Sequence, residues 1–103
     1  MGVATISNMK AELILQERIV LTAPSFAEVV VWKLSASLPG SRHRFKYRLA
    51  YIVENFCVVR FDNEAGKGDH KHVGAKEVPY VFIDLQTLRA DFFTEIRVRS
   101  RKI

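Results

Sequence analysis

The chain has 103 residues and a formal net charge of +5, which indicates one domain with a single modest core. Its only cysteine, Cys57, excludes an intrachain disulfide and a cysteine-rich zinc site. No apolar run approaches the roughly 20 residues of a membrane-spanning helix, and the N-terminus has no signal-peptide pattern, so we expect a cytoplasmic protein.

The positive charge is concentrated in the middle of the chain. Residues 41–76 hold eight lysines and arginines against four carboxylates, whereas residues 1–40 are balanced. A basic surface attracts polyanions such as nucleic acid, and the predicted pI of about 9.7 is typical of nucleic-acid-binding domains. The alternative is an ordinary solvated basic surface, because basicity constrains partners and not chemistry.

The first half of the chain predicts two strands. Residues 1–8 are expected to be a flexible lead-in to a single α+β domain over residues 9–103. A strand is predicted through Leu13–Leu15, with a helix as the alternative for so short an apolar run. The segment 22–25 contains a proline and breaks the pattern. The run Phe26–Ser37 is rich in β-branched residues and predicts a central strand, or one covered by a helix.

Residues 43–53 alternate cleanly and should form a β-hairpin with the run that follows Asn55. A loop of Glu54–Phe56 would place Arg48 opposite Asp62, a favourable pair, and is preferred. A loop of Val53–Asn55 would place Arg48 opposite an arginine. Both registers keep Asp62 on the face of the basic residues, and a two-residue loop would do so only with a bulge.

The C-terminal part predicts a loop over residues 64–78, a strand over Val78–Ile83 and then a helix capped by Asp84. Apolar residues recur at helical spacing at positions Leu85, Leu88, Phe92 and Ile96. A basic tail follows at Arg97, Arg99, Arg101 and Lys102; it suits a helix C-terminus or a second nucleic-acid contact. The predicted fold is therefore α+β, an antiparallel sheet of four to five strands with a C-terminal amphipathic helix packed on it.

The stretch Arg60–His72 concentrates the groups that could carry chemistry, including two of the three histidines. Cleavage of RNA by its own 2′-hydroxyl needs a base, an acid and cations, and histidine suits both proton roles. The candidate catalytic residues are His70, His72, Asp62, Glu64 and Lys67. The candidate nucleic-acid-binding residues are Arg44, Lys46, Arg48, Arg60 and Lys71. Tyr47 and Tyr51 are expected in the core rather than stacked on a base.

Other interpretations of this stretch stay open. No metal or cofactor is required, but if a divalent metal is bound, the candidate ligands are Asp62, Glu64, Asp69, His70 and His72. The segment Gly66–Gly68 is similar to part of a phosphate-binding loop, but it has neither the spacing nor the Ser/Thr of a Walker motif. The plainest alternative is a polar turn whose charges pair with one another.

Several segments together resemble the TumE family, toxin components of type II toxin–antitoxin systems. The most specific are the Asp62-Asn63-Glu64 and Gly68-Asp69-His70-Lys71-His72 elements, and the resemblance spans about residues 9–96. It implies an RNA-directed toxin, a ribonuclease, with a helix-turn-helix antitoxin as its partner. The alternatives are a non-catalytic module that binds nucleic acid or a partner, and a nucleotide-dependent transferase toxin. A homodimer is possible, and no membrane partner is expected.

Overall fold

The structure, a computed structural model, describes residues 2–100 as one antiparallel sheet and a C-terminal helix. The strands are β1 Val3–Ile6, β2 Met9–Thr22, β3 Ser25–Leu34, β4 Phe45–Val53, β5 Phe56–Glu64, β6 Gly68–Val73 and β7 Lys76–Pro79, and the helix is α1 Leu85–Ser100. Each strand pairs with the next one along the chain, so the sheet order is the order of the sequence. The α+β class is confirmed, but the sheet has seven strands rather than four or five.

The additional strands come from segments whose alternation is weak. Residues 3–6, expected as part of a flexible lead-in, form β1, and the turn at Ser7–Asn8 has positive φ values of 52° and 63°. The predicted loop 64–78 contains β6, most of β7 and two turns with glycines at positive φ. The strand predicted over residues 78–83 is instead Lys76–Pro79. A polar strand lacks the hydrophobic alternation from which strands are predicted.

The β4–β5 hairpin combines a two-residue turn with a bulge. Val53 pairs with Phe56, so the turn is Glu54–Asn55, with φ values of 50° and 70° typical of a primed hairpin turn. A register shift between Tyr51 and Ile52 then restores the predicted pairing of Arg48 with Asp62. The predicted three-residue loop is wrong, whereas the predicted register beyond the bulge is confirmed.

Helix α1 covers one face of the sheet, which we call the helix face. Its buried residues Leu88, Phe92 and Ile96 pack against residues of β3, β4 and β5. The backbone amide of Thr87 donates to Asp84 Oδ1 at 2.6 Å, and these contacts with Thr87 lower the pKa of Asp84. The predicted N-cap is therefore confirmed. Arg101 and Lys102 of the predicted basic tail lie outside the described residues.

The opposite side of the sheet, which we call the open face, has no helix packed on it within residues 2–100. Near β1–β3 it carries a small second core of Ala11, Leu34 and Leu38. Over the same part of the chain, no helix is long and apolar enough to cross a membrane.

Candidate functional site

The open face of β5, β6 and β7 brings together the two histidines of β6. Asp62 lies opposite His70, and Arg60 lies opposite His72. His72 in turn lies opposite Glu77 on the edge strand β7. Since residues directly opposite share a side of the sheet, these five side chains form one group, which we call the His–acid cluster.

Arg60 links the acid and the histidine of the cluster. Its Nε lies 3.1 Å from Asp62 Oδ2, an ion pair without the angle of a hydrogen bond. Its Nη2 lies 2.9 Å from His72 Nε2. Because a guanidinium can only donate, His72 Nε2 accepts, and the proton of the neutral ring is on Nδ1. The lone pair of His72 Nε2 is therefore engaged by Arg60.

Glu77 is the residue of the cluster that the sequence pattern does not indicate. Its Oε1 lies 3.4 Å from His70 Nε2 and 3.9 Å from His72 Nε2. The same oxygen is 3.9 Å from Lys67 Nζ, in the turn between β5 and β6. Glu77 faces the two histidines only because residues 76–79 form a strand. That strand has four residues and ends in proline, so its sequence does not predict it.

Access to the cluster differs between the two histidines. The side chain of His70 is 8% exposed, and that of His72 is 25% exposed. A shallow groove borders the cluster on the side of His70 and is lined by Lys67, Asp69, His70, Glu77, Val78 and Pro79. His72 is therefore the more accessible of the two rings.

Two cationic side chains of β4, Lys46 and Arg48, lie on the open face between the His–acid cluster and β3. Arg48 is exposed and lies opposite Asp62, while Lys46 donates from Nζ to the backbone oxygen of Asn63. Burial lowers the pKa of Lys46, and the nearby Asp62 and Glu64 oppose that shift. Glu64 itself is exposed at the end of β5. The cluster is thus continuous with a basic strip on the neighbouring strand.

Arg44 and Lys71, two of the predicted nucleic-acid contacts, lie away from the cluster. Arg44 is exposed just before β4 begins. Lys71 projects from β6 to the helix face, where its Nζ lies 3.0 Å from Glu95 Oε2. Tyr47 and Tyr51 are buried in the core, as expected.

The predicted metal ligands are not all brought together. Asp69 projects to the helix face, away from the two histidines of β6. Among residues 2–100, no three histidine, cysteine or acidic side chains are arranged to hold a metal ion.

The turn Gly66–Gly68 uses its amides within the protein. The amide of Gly66 donates to Pro39 O at 2.6 Å, and that of Lys67 donates to Glu64 O at 3.1 Å. A Cβ on Gly40 would lie 3.3 Å from the carbonyl carbon of Gly66, so the two backbones are in close contact. These glycines serve chain packing, and the two amides are not available to cradle a phosphate.

The third histidine, His43, pairs with a carboxylate on the helix face. His43 Nε2 is 2.8 Å from Asp69 Oδ2, the same oxygen that accepts a hydrogen bond from Tyr47 at 2.7 Å. His43 Nδ1 accepts from the amide of Phe45 at 3.1 Å, so the ring is neutral with its proton on Nε2. The ring of Phe82 lies 4.0 Å from that of His43, centroid to centroid.

Asn63, the middle residue of the Asp62-Asn63-Glu64 element, has a structural role. Its buried side chain accepts a hydrogen bond from the amide of Tyr47 at 3.0 Å and donates to Phe45 O at 2.7 Å. These bonds join β4 and β5 where Asp62 and Glu64 flank Asn63. The asparagine thus fixes the end of the β5 strand that carries Asp62.

Comparison with protein families places the chain in a family of toxins. The family model described as "Toxin TumE" matches residues 6–100. The chain therefore belongs to the TumE family, and the predicted resemblance is confirmed. Membership suggests that the chain is a toxin and implies an antitoxin partner. No curated protein and no solved structure matches it.

Proposed function

We propose that this toxin acts on RNA as a metal-independent endoribonuclease, with the His–acid cluster as its active site. The observation that carries the proposal is the contact between Arg60 Nη2 and His72 Nε2 at 2.9 Å. It holds a neutral histidine, with its lone pair directed at a cation, on the accessible face of the sheet. A base beside a phosphate-binding group is what cleavage by the 2′-hydroxyl requires.

His72 acts as the base in the proposed reaction. It removes the proton of the 2′-hydroxyl, and the 2′-oxygen attacks the adjacent phosphorus. The phosphate competes for the N–H groups of Arg60, so substrate binding frees the Nε2 atom of His72 for the proton. The phosphorus–O5′ bond then breaks, which leaves a 2′,3′-cyclic phosphate on one fragment.

His70 supplies the proton to the leaving 5′-oxygen. Its ring lies 6.2 Å from that of His72, centroid to centroid, so the two rings flank a position that a phosphate can occupy. Glu77 Oε1, 3.4 Å from His70 Nε2, orients the ring for this proton transfer. Asp62 orients Arg60, and Lys67 adds positive charge at the edge of the groove.

The test analyses the products of a labelled single-stranded RNA in the presence of a chelator. We expect fragments that end in 2′,3′-cyclic phosphate and begin with a 5′-hydroxyl. The same strand with 2′-deoxyribose throughout should bind and remain intact, because its attacking oxygen is missing. A requirement for divalent metal, or products ending in 5′-phosphate, would contradict the mechanism.

A non-catalytic binding module is the second candidate. It is favoured by the burial of His70, which is 7% exposed as a residue. This function predicts salt-dependent RNA binding without cleavage, lost in Arg48→Ala and unaffected by His70→Ala. The nucleotide-dependent transferase has no comparable support, because the amides of Gly66 and Lys67 donate within the protein.

The antitoxin partner is proposed to carry a helix-turn-helix domain, as the resemblance implies. The open face is the surface on which its binding would block the His–acid cluster. Co-purification with the product of the adjacent reading frame tests this, and loss of RNA cleavage in the complex is the expected result. A complex that cleaves RNA at the free rate would contradict it. The cytoplasmic location and the homodimer stay predictions.

A further inference from the structure

A second groove lies on the open face, beside the His–acid cluster and outside it. Its lining includes the apolar residues Ile6, Val30 and Trp32 and the two cations Lys46 and Arg48. Trp32 is the only tryptophan of the chain. It is partly buried, because one side of it packs against the small core of Ala11, Leu34 and Leu38. The groove therefore combines a fixed aromatic ring with positive charge.

The groove is continuous with the proposed active site through cross-strand pairs. Trp32 lies opposite Lys46, and Val30 lies opposite Arg48. Arg48 lies opposite Asp62, which lies opposite His70. Neighbouring strands are about 4.8 Å apart, so β3 and β6 are separated by roughly 14 Å across the sheet. A short single-stranded segment can span that distance and contact both places.

We propose that this groove is a base-binding subsite, which takes one nucleobase of single-stranded RNA against Trp32 while Lys46 and Arg48 hold the adjoining phosphates. The proposal rests on the RNA-directed function proposed above and names the substrate class, unpaired rather than duplex RNA. An apolar, aromatic wall with cations at its rim matches the flat, apolar base and the charged backbone of a nucleotide. Stacking of this kind is tolerant of base identity.

The emission of Trp32 reports on the subsite directly, because no other tryptophan contributes. The probe is an unlabelled, single-stranded 2′-O-methyl oligonucleotide, which resists cleavage by its own 2′-oxygen. We expect its titration to quench or shift the emission of the unmodified protein. An abasic oligomer of equal length and charge is the control; it should bind in an anisotropy assay and leave the emission unchanged.

Variants separate stacking from a merely structural role of Trp32. Because stacking contributes to the binding free energy, Trp32→Ala should weaken binding of the 2′-O-methyl strand by about 5- to 100-fold. Trp32→Phe, which keeps an aromatic ring, should retain most of the affinity and remain folded. Phe56→Ala removes an exposed aromatic ring at the far β4–β5 turn and should leave the affinity unchanged.

The outcomes distinguish this inference from the proposed function. Quenching by the base-containing strand, without cleavage of ordinary RNA, supports the subsite and overturns the ribonuclease. Cleavage of RNA with unchanged Trp32 emission, or equal quenching by the abasic oligomer, overturns the subsite and leaves the ribonuclease standing. Failure of the 2′-O-methyl strand to bind overturns the subsite. Equal affinity for a duplex of the same sequence contradicts the preference for unpaired RNA.

Discussion

Each face of the sheet carries a histidine–carboxylate group, built on His43 on the helix face and on His70 and His72 on the open face, and the two groups differ in how fully their hydrogen-bonding atoms are engaged. On the helix face, both ring nitrogens of His43 are engaged, one by Asp69 and the other by the amide of Phe45. The ring of Phe82 packs on the imidazole, and the His43 side chain is 13% exposed. A histidine in this state has no free nitrogen to offer a substrate.

On the open face, the contacts between the histidines and the carboxylate of Glu77 are longer, and Glu77 is more exposed than Asp69. Glu77 lies 3.4 Å from His70 and 3.9 Å from His72, and its side chain is 43% exposed. The closer contacts are those of Arg60, whose Nη2 lies 2.9 Å from His72 Nε2 and whose Nε lies 3.1 Å from Asp62 Oδ2; in the proposed reaction, a phosphate competes for them. Similar residue types therefore form a contact that engages both ring nitrogens of a histidine on one face, and the proposed active site on the other.

The largest expected effect on stability is at Asn63. Asn63→Ala removes the partners of two backbone groups, the amide of Tyr47 and the carbonyl of Phe45. Leaving each unsatisfied costs about 1–3 kcal/mol, so the free energy of unfolding should fall by roughly 2–6 kcal/mol in urea titrations. The exposed neighbour Glu64→Ala is the control and should change it by less than about 0.5 kcal/mol. Equal losses of stability in Asn63→Ala and Glu64→Ala would contradict the structural role assigned to Asn63.

The next effect is on catalysis, at Glu77. Glu77→Gln keeps the shape of the side chain and removes the charge beside the two histidines of β6. We expect the rate of RNA cleavage to fall by about 10- to 100-fold, with KM little changed, because the carboxylate acts on the histidines and not on the substrate. Glu54→Gln, in the β4–β5 turn, is the matched control. A change confined to KM would indicate a role in binding.

Alkaline pH should weaken the fold through the helix face. Burial raises the pKa of Tyr47 above its ordinary value of 10.0, and the hydrogen bond to Asp69 raises it further. The pKa of Tyr80 is raised by burial and by its bond to Asp91. Below pH 10 both tyrosines are protonated in the folded and unfolded states, so this stabilisation is fully present.

Above pH 10 the unfolded state loses these protons first. The free energy of unfolding should then fall by up to about 1.4 kcal/mol per pH unit for each tyrosine. Urea titrations between pH 9 and pH 11 measure it. Tyr47→Phe should show a shallower dependence, and a flat dependence in the unmodified protein would count against the buried tyrosine contacts.

The smallest effect compares two cations on opposite faces. Arg48 is exposed on the open face, whereas Lys71 pairs with Glu95 on the helix face. Arg48→Ala should weaken RNA binding and reduce the slope of log K against log salt by about 0.7, the value for one single-stranded phosphate contact. Lys71→Ala should leave both quantities unchanged. If Lys71→Ala has the larger effect, the RNA follows a different surface.

Much of the central sheet could be predicted from the sequence, because its strands alternate strongly. The period-two pattern of residues 43–53 predicts the face shared by Lys46, Arg48 and Asp62, and the pairing of Arg48 with Asp62 follows from charge. Helix α1 could be predicted from Asp84 and the apolar spacing that follows it.

The features that could not be predicted from the sequence depend on contacts between distant segments. β6 and β7 are short and polar, so no hydrophobic alternation reveals them, and Glu77 could not be assigned to the cluster without β7. His43 precedes β4, and its partner Asp69 lies 26 positions later. Whether the ring nitrogens of a histidine are engaged by other protein groups depends on such long-range partners, which composition does not specify.

The most direct test of the central claim compares His72 with His43 in single-turnover RNA cleavage. Each variant is assayed well below its melting temperature, with the folded fraction checked by circular dichroism. We expect His72→Ala to lower the rate by about 10²- to 10⁴-fold with the melting temperature preserved. His43→Phe should lower the melting temperature and keep the rate per folded molecule within about threefold of the unmodified protein. A folded His72→Ala variant that cleaves at the normal rate, or a folded His43→Phe variant that does not cleave, would contradict the assignment of the open face.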